Sequence, residues 1–236
     1  MNSQRIVEID NTAFRHNWVL EKLSSLAKQN SRQKILDVGA GLSPYKSHAI
    51  DLGFQYYSQD FSAYTPTGAE QGLHDKNWHY PQHTFVCDIL EIPKTQKYDL
   101  ILCTEVFEHI PDPIRSFAYL CRLLKNNGTI VITVPFMSLM HQAPYWFQSG
   151  LSPFWFEYWS KTNNLEILEL KVYGDYIDLV SQETKRLLSF SHRVSPISKV
   201  AIPIIKRLRR RHSKAVLDSG GFGTLFVARR ITQTNA

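Results

Sequence analysis

The sequence predicts an α/β fold in which helices cover both faces of a mostly parallel sheet. Between residues 13 and 135, short apolar runs that suit buried strands alternate with amphipathic stretches that suit helices. This order is typical of parallel strands joined by right-handed crossovers. The first apolar run, Lys34 to Val38, leads directly into a turn that contains Gly39 and Gly41. Because ligands in such folds bind at the carboxyl ends of the strands, this turn also predicts where a site lies.

Periodicity and turn residues predict the individual elements in order. Apolar residues at helical spacing predict a lead-in helix over Ala13 to Gln29 and a later helix over Pro113 to Leu124. Ser43 to Leu52 suits a further helix, Ser62 to Gln82 reads as a loop, and Asn126 to Gly128 reads as a turn. The predicted strands are Lys34 to Val38, Phe54 to Asp60, Thr84 to Cys87, Tyr98 to Cys103, Thr129 to Val134, Leu165 to Tyr173 and Gly223 to Arg230.

Length and composition narrow the class of protein. The 236 residues, 43% of them hydrophobic and 20% charged, suit one globular domain over 1–236. No run of 18 apolar residues occurs, and residues 1–10 lack the pattern of a signal peptide. Three scattered cysteines argue against a disulfide framework. We therefore expect a cytoplasmic protein without a membrane span.

Four acidic residues stand at or near the carboxyl ends of the first four predicted strands, namely Asp37, Asp60, Asp88 and Glu105. Asp60 comes 23 residues after Asp37, close to the offset of ~20 residues typical of a ribose-binding acid in such a unit. A single Asp after a strand is more often a helix cap or a turn residue. Four acids in order, each at the carboxyl end of a strand, indicate one shared site.

Two runs carry a family resemblance. Lys34 to Tyr45 resembles the first motif of class I methyltransferases that use S-adenosyl-L-methionine (SAM). Tyr98 to Pro113 contains Glu-His-Ile-Pro-Asp-Pro and is similar to the fourth-strand motif of the polyprenyl-quinone O-methyltransferases. Lys125 to Gly128 reads Lys-Asn-Asn-Gly where that family usually has Lys-Pro-Gly-Gly. The resemblance covers about Lys34 to Val172 and implies a Rossmann-like sheet of seven strands whose last strand is antiparallel.

The resemblance implies SAM as the cofactor and methyl transfer to a small-molecule or lipid-linked acceptor, at oxygen. Asp60 would bind the ribose hydroxyls, and Asp88 beside Ile89 would bind the adenine. Asp37 and Glu105 would face the cationic sulfonium and ammonium groups. The full set of expected cofactor contacts is Asp37, Gly39, Ala40, Gly41, Asp60, Phe61, Asp88, Ile89 and Glu105.

Two histidines, His109 and His141, are placed to act as a general base, and His141 is the predicted catalytic residue. The chain is also similar to methyltransferases encoded with cell-surface polysaccharide genes, which often have His-x-x-Pro-x-Asp here and an Arg soon after. Trp146 and Ser149 take the places of that Asp and Arg, so a different acceptor site is expected. Packing at the helix start for His109 and a loop role for His141 are the alternatives.

No metal site is predicted. His74, Asp75, His79 and His83 fall near one another in the sequence, yet they lack the spacing of a recognisable metal-binding motif.

Two later segments each have more than one interpretation. Nine aromatic residues between Phe136 and Trp159 suit either the core under the sheet or a lid over 136–160 that covers an aromatic or lipid-like acceptor. A basic helical insertion is predicted over 176–218. Between Thr184 and Lys214 it has ten Lys or Arg and no Asp or Glu, which suits a solvated face, contact with an anionic membrane at its inner face, or RNA binding.

Three other functions stay open on the sequence alone. A non-catalytic SAM-binding or scaffold protein and an RNA-directed methyltransferase both fit the fold. Nucleic acid is disfavoured as a partner because no Asn-Pro-Pro-Tyr or Asp-Pro-Pro-Tyr run follows the fourth strand. A nicotinamide dehydrogenase is the weakest alternative, since Pro44 stands where the dinucleotide fingerprint needs its third glycine.

The glycine turn also departs from the methyltransferase pattern at one position, because Ser43 replaces a glycine that is frequent in that family.

Overall fold

Seven strands form one sheet in the computed structural model, which describes residues 11–28, 32–64, 80–189, 195–208 and 212–231. The strands are β1 (Lys34–Val38), β2 (Gln55–Asp60), β3 (Phe85–Val86), β4 (Tyr98–Thr104), β5 (Leu124–Pro135), β6 (Leu165–Tyr173) and β7 (Gly223–Arg230). Their order across the sheet is β3-β2-β1-β4-β5-β7-β6. β7 is antiparallel to both β5 and β6, and the other pairs are parallel. This topology confirms the predicted fold class, including the antiparallel last strand.

Seven α-helices accompany the sheet in the described ranges. They are α1 (Asn11–Leu26), α2 (Lys46–Asp51), α3 (Pro113–Leu123), α4 (Pro153–Thr162), α5 (Tyr176–Ser189), α6 (Ser195–Leu208) and α7 (Lys214–Leu217). The side chain of Asp112 accepts a hydrogen bond from the Arg115 N–H at 3.0 Å and caps α3, which Pro113 begins. Among the described helices, none is both long and apolar enough to cross a membrane.

Alternation along β4 explains the two apolar layers. Leu100 and Leu102 face one layer, which α1 covers with Trp18, Val19 and Leu23. Ile101 and Cys103 face the opposite layer, whose other members include Phe117, Phe156 and Phe226. All four β4 side chains are buried, as expected for a parallel strand covered on both faces.

Several element boundaries differ from the prediction. β5 begins at Leu124 and not at Thr129, because Leu124 already pairs with Tyr98 before the register shifts. The Asn-Asn-Gly run therefore bulges within the strand, with Asn127 at φ +61°. α1 ends at Leu26 and α2 is shorter than its predicted segment. Most of the predicted loop from Ser62 to Gln82 lies outside the described residues.

Candidate active site

A cleft of about 500 Å³ opens beside the carboxyl ends of β1, β2 and β4. This volume is in the range of small-molecule sites. All nine residues that the sequence predicts as cofactor contacts line it: Asp37, Gly39, Ala40, Gly41, Asp60, Phe61, Asp88, Ile89 and Glu105. The fold brings them together because parallel strands deliver their carboxyl ends to one edge of the sheet.

The glycine turn after β1 is held in a conformation that few other residues adopt. Gly39 and Gly41 have φ values of +61° and +51°, in the left-handed region that favours glycine. A Cβ added to Gly39 would lie 2.4 Å from Cγ2 of Val106. The N–H groups of Gly39 and Gly41 donate to Gln59 Oε1 at 3.2 Å and Asp60 Oδ2 at 2.9 Å. Because glycine has no side chain, the backbone at Gly39 and Gly41 can border the cleft directly. The N–H groups of both residues already donate hydrogen bonds within the protein.

Asp60 ties the glycine turn to the end of β2. Its Oδ2 accepts from the Gly41 N–H at 2.9 Å and its Oδ1 accepts from the Ser62 N–H at 2.8 Å. The residue is buried and borders the cleft. Because a carboxylate offers about four lone-pair positions, these two bonds leave acceptor capacity for a ligand.

Asp37 is a buried acid whose pKa lies far above its ordinary range. Tyr56 donates its hydroxyl to Asp37 Oδ2 at 2.6 Å. Burial raises the pKa of Asp37 to about 7, with a further increase from the charge of Asp60, although the Tyr56 hydrogen bond lowers it. Near neutral pH this carboxyl is therefore a mixture of charged and protonated forms.

Glu105 meets a cation from α1 across the cleft. Arg15 Nη1 lies 2.8 Å from Glu105 Oε2, and Thr133 donates its hydroxyl to Glu105 Oε1 at 2.9 Å. Burial alone would lower the pKa of Arg15, but the Glu105 carboxylate and nearby tyrosines outweigh it and raise the pKa. Glu105 has φ +54°, which is uncommon for a residue with a side chain. The Glu105 carboxylate is thus held at the cleft by two partners.

Asp88 serves locally as a helix cap while it borders the cleft. Its Oδ1 accepts from the Leu90 N–H at 2.8 Å, and Glu91 Oε2 accepts from the Asp88 N–H at 3.3 Å. Together these bonds form a capping box for the 3-10 turn Ile89–Glu91. The neighbouring Ile89 is buried and presents an apolar wall.

The aromatic segment after β5 divides between the core and the cleft. Phe156 is fully buried and stacks on Phe226 with ring centroids 4.6 Å apart. By contrast, Tyr145 and Phe147 line the cleft, and the Tyr145 ring meets Phe61 edge-on at 4.8 Å. Phe154 is 75% exposed. Part of the segment is therefore core and part of it borders the cleft, and a lid over an acceptor stays a prediction.

Three residues, Glu108, His109 and His141, form what we call the Glu-His-His cluster. Nε2 of His109 and Nε2 of His141 lie 3.7 Å and 3.9 Å from Glu108 Oε1. Burial raises the pKa of Glu108 well above its usual range, to which the charge of Glu105 adds. Burial lowers the pKa of His109 to about 4. His109 lines the cleft, whereas His141 is not among the described lining residues; the centroids of the two rings lie 4.8 Å apart.

The predicted histidine loop is only partly described. His83 is buried, and burial lowers its pKa. His74, Asp75 and His79 lie outside the described residues.

Sequence reasoning missed several residues that line the cleft, among them Arg15, Tyr45, Gln59 and Thr104. Arg15 had a usable signal. It precedes Trp18 and Val19 by three and four positions, so it shares the apolar face of α1. A cation on a buried face needs a partner, and that partner is Glu105.

Comparison with known proteins identifies the family. Residues 12–169 match the family model of a methyltransferase domain. A ubiquinone biosynthesis O-methyltransferase of Pasteurella multocida is 32% identical over 121 residues, which make up 46% of this chain and 50% of that protein. The chain thus spans about half the length of the curated relatives it matches.

Solved structures share the fold at low sequence identity. Phosphoethanolamine N-methyltransferase 2 of Haemonchus contortus, in a complex with S-adenosylhomocysteine, has a TM-score of 0.51 and 16% identity over 92% of this chain and 53% of its own. The [4+2]-cyclase SpnF has a TM-score of 0.55 and 16% identity over 92% of this chain and 82% of its own. At this identity the likeness concerns the fold alone.

Proposed function

The chain belongs to the methyltransferase-domain family, and from that premise we propose that it transfers the methyl group of SAM to an oxygen of a small-molecule or lipid-linked acceptor. One observation carries the proposal: the acids at or just after the carboxyl ends of β1, β2, β3 and β4 border a single cleft of about 500 Å³. When bound, SAM would supply an electrophilic methyl group: the acceptor oxygen would take it in an in-line displacement as the methyl–sulfur bond breaks, with S-adenosylhomocysteine as the leaving group and loss of the hydroxyl proton.

Different residues of the cleft bind the cofactor, place charge beside it and exclude water. Asp60 keeps lone pairs for the ribose hydroxyls while its other bonds hold the glycine turn. Ile89 offers an apolar wall for the adenine, beside Asp88. Glu105 places negative charge near the sulfonium. Phe61 and Tyr145 close one side of the cleft and exclude water from the reacting atoms.

The acceptor class rests on the aromatic side of the cleft. Tyr145 and Phe147 line it together with His109, and they suit a flat or apolar acceptor. Because the Pasteurella relative is a ubiquinone biosynthesis O-methyltransferase, a polyprenylated phenol is the first acceptor to assay. His141 as a general base stays a prediction, since it is not among the described residues that line the cleft.

Calorimetric titration with S-adenosylhomocysteine tests the cofactor, with NADH as the comparison ligand. We expect micromolar binding of S-adenosylhomocysteine alone. Asp60→Asn should weaken that binding at least tenfold, because it removes the charged acceptor for two hydroxyls. Asp51→Asn, an exposed change on α2, is the matched control. Binding of NADH, or equal affinity of wild type and Asp60→Asn, contradicts the proposal.

A methyl-transfer assay separates the enzyme from a non-catalytic relative of the same fold. The assay uses SAM with a labelled methyl group and a polyprenylated phenol. Transfer that Asp60→Asn abolishes supports the enzyme. Binding of S-adenosylhomocysteine without transfer to any tested hydroxyl acceptor would favour the scaffold alternative, since a shared fold does not determine function.

We also propose that α6 contacts an anionic membrane surface. Val200, Ile204 and Leu208 lie four residues apart along α6 and are 62%, 57% and 38% exposed, so they form an apolar stripe. Lys206 and Arg207 stand in its last turn. An apolar stripe beside cationic residues combines the two attractions that peripheral binding needs.

Vesicle sedimentation tests this membrane contact. We expect binding to vesicles that contain anionic lipid, weak binding to zwitterionic vesicles, and a loss of binding in Ile204→Ser. Phe154→Ser, which removes an exposed apolar residue elsewhere, should bind like wild type. Equal binding by Ile204→Ser and wild type would rule the stripe out. Salt-sensitive binding to RNA in place of vesicles would favour the RNA alternative.

A further inference from the structure

The two imidazoles of the Glu-His-His cluster present lone pairs toward the same carboxylate. Nδ1 of His109 contacts the backbone carbonyl of Tyr145, and Nδ1 of His141 lies 3.0 Å from the carbonyl of Leu139. A carbonyl oxygen only accepts hydrogen bonds, so each Nδ1 carries the proton. In the neutral ring each Nε2 is therefore a lone-pair acceptor.

Glu108 adds a third acceptor to this group. Its side chain is fully buried. Within the described part of the chain, neither of its carboxylate oxygens has a hydrogen-bond partner. The two histidine Nε2 atoms lie 3.7 Å and 3.9 Å from Glu108 Oε1, beyond hydrogen-bond distance. A buried carboxylate without a partner is costly, so three acceptors that face one another indicate a missing positive species between them.

We propose that Glu108, His109 and His141 bind one divalent transition-metal ion, with zinc as the reference ion. Their ligand atoms all lie within 4.8 Å of one another. Ligands bound at about 2.0–2.2 Å from zinc lie roughly 3–4 Å apart, so only a small contraction is needed. Two imidazoles and one carboxylate suit zinc and its neighbours in the first transition row.

The contacts around the cluster match those of metal-bound histidines. A ligating histidine usually donates its other ring N–H to a carbonyl or a carboxylate, which fixes the ring orientation. His109 and His141 both donate Nδ1–H to backbone carbonyls. The site differs from the loop around His74, and sequence spacing alone does not reveal it because His141 lies 32 positions after His109.

The ion would join two parts of the cleft wall. Glu108 and His109 belong to the 3-10 turn after β4, whereas His141 belongs to the segment from Phe136 to Gly150 that also supplies Tyr145. The Phe147 and Gln148 N–H groups donate to the Glu108 carbonyl at 3.0 Å and 3.3 Å, so this segment already packs on the same turn. A bound ion would fix it further, on the acceptor side of the cleft.

Titration with Co²⁺ tests the site on the full chain, freed of any affinity tag and of SAM. We expect one equivalent per chain, with the visible absorption of a cobalt ion in a low-coordinate nitrogen and oxygen site, and displacement by Zn²⁺. His141→Ala and Glu108→Gln should each weaken Co²⁺ binding by at least about tenfold. His48→Gln, a histidine on α2 outside the cluster, is the matched control and should bind like wild type.

His141→Ala keeps the test decisive if the buried Glu108→Gln variant fails to fold, since His141 lies on a partly exposed segment. A second readout is amide exchange over residues 136–150, which Zn²⁺ should slow in wild type and leave unchanged in His141→Ala. The absence of one-to-one binding, or equal binding in wild type and His141→Ala, overturns the proposal. In that case a proton on Glu108, and not a metal ion, neutralises the buried carboxylate. Binding of S-adenosylhomocysteine is measured separately, so failure of the metal site is distinct from failure of the proposed function.

Discussion

At the scale of single residues, the cleft contains acids with different environments. Asp60 is anchored by two backbone N–H groups, and Glu105 is paired with Arg15. Among the described residues, the side-chain donor to Asp37 is the neutral Tyr56 hydroxyl. Because burial without a cationic partner disfavours the charged form, Asp37 is the acid with the pKa of about 7. Asp37 thus differs from the other acids at strand ends in the partners that surround its carboxyl group.

This raised pKa predicts a pH dependence of stability. The folded state holds a proton on Asp37 up to about pH 7, whereas the unfolded chain releases it near pH 4. The stabilising contribution is therefore complete below pH 4 and lost as the pH rises through 7, on the order of 4 kcal/mol in total. In urea unfolding without ligand, Asp37→Asn should lose less stability than wild type between pH 5 and pH 8. Parallel pH profiles for the two proteins would contradict the assignment, and Asp51→Asn should follow wild type.

Arg15 predicts a change in ligand preference. Its guanidinium neutralises Glu105 at the cleft, and SAM carries a sulfonium charge that S-adenosylhomocysteine lacks. Arg15→Gln should thus raise the affinity for SAM relative to S-adenosylhomocysteine by about twofold to fivefold, a modest factor because the pair is partly exposed. Glu105→Gln should shift the ratio in the opposite direction. Calorimetry with both ligands measures the two ratios, and a shift of the same sign in both variants would argue against this role.

At the scale of elements, α4 shows how one helix serves two environments. Phe156 faces the sheet and is fully buried, while Tyr158, two positions later, is 63% exposed. Residues two apart on a helix point in different directions, so the aromatic run cannot lie on one face. The inner part of the run belongs to the core, since Trp155 and Trp159 pack on the same cluster as Phe156.

Truncation to alanine should cost much more stability at Phe156 than at Tyr158. Phe156→Ala should lower the free energy of unfolding by about 3–5 kcal/mol, as for other large-to-small changes at buried aromatic positions. Tyr158→Ala should change it by less than about 0.5 kcal/mol. Urea unfolding of both variants checks this, and similar losses would mean that the outer face of α4 is covered in solution.

At the scale of the whole molecule, strands and strand-end acids could be predicted because their signals are local. β6 and β7 have the predicted boundaries, since apolar alternation and turn residues define a strand from within. Contacts between residues that are far apart in the sequence leave no such local pattern. Arg15 meets Glu105 across 90 positions, and Glu108 meets His141 across 33, so only the assembled fold reveals them. The early start of β5 escaped prediction because Asn127 bulges inside the strand.

Ligand binding should stabilise the whole domain. At 100 times its dissociation constant, S-adenosylhomocysteine should add about 2.7 kcal/mol to the free energy of unfolding. For a domain of this size, that gain raises the melting temperature by roughly 5–10 °C. Thermal unfolding with and without the ligand measures the shift, and Asp60→Asn should show little of it. An equal shift in the variant would remove Asp60 from the ligand site.

The contact between Phe61 and Tyr145 has a kinetic consequence. The two rings meet across the side of the cleft, while the backbone of Tyr145 is bonded to His109 in its wall. A ligand that passes between these rings must separate them on the way in and again on the way out. If loop opening is slower than methyl transfer, as in many enzymes that close over their substrates, the first turnover will be fast and later ones will wait for product to leave. Such an enzyme shows a pre-steady-state burst, which weakening the ring contact should diminish.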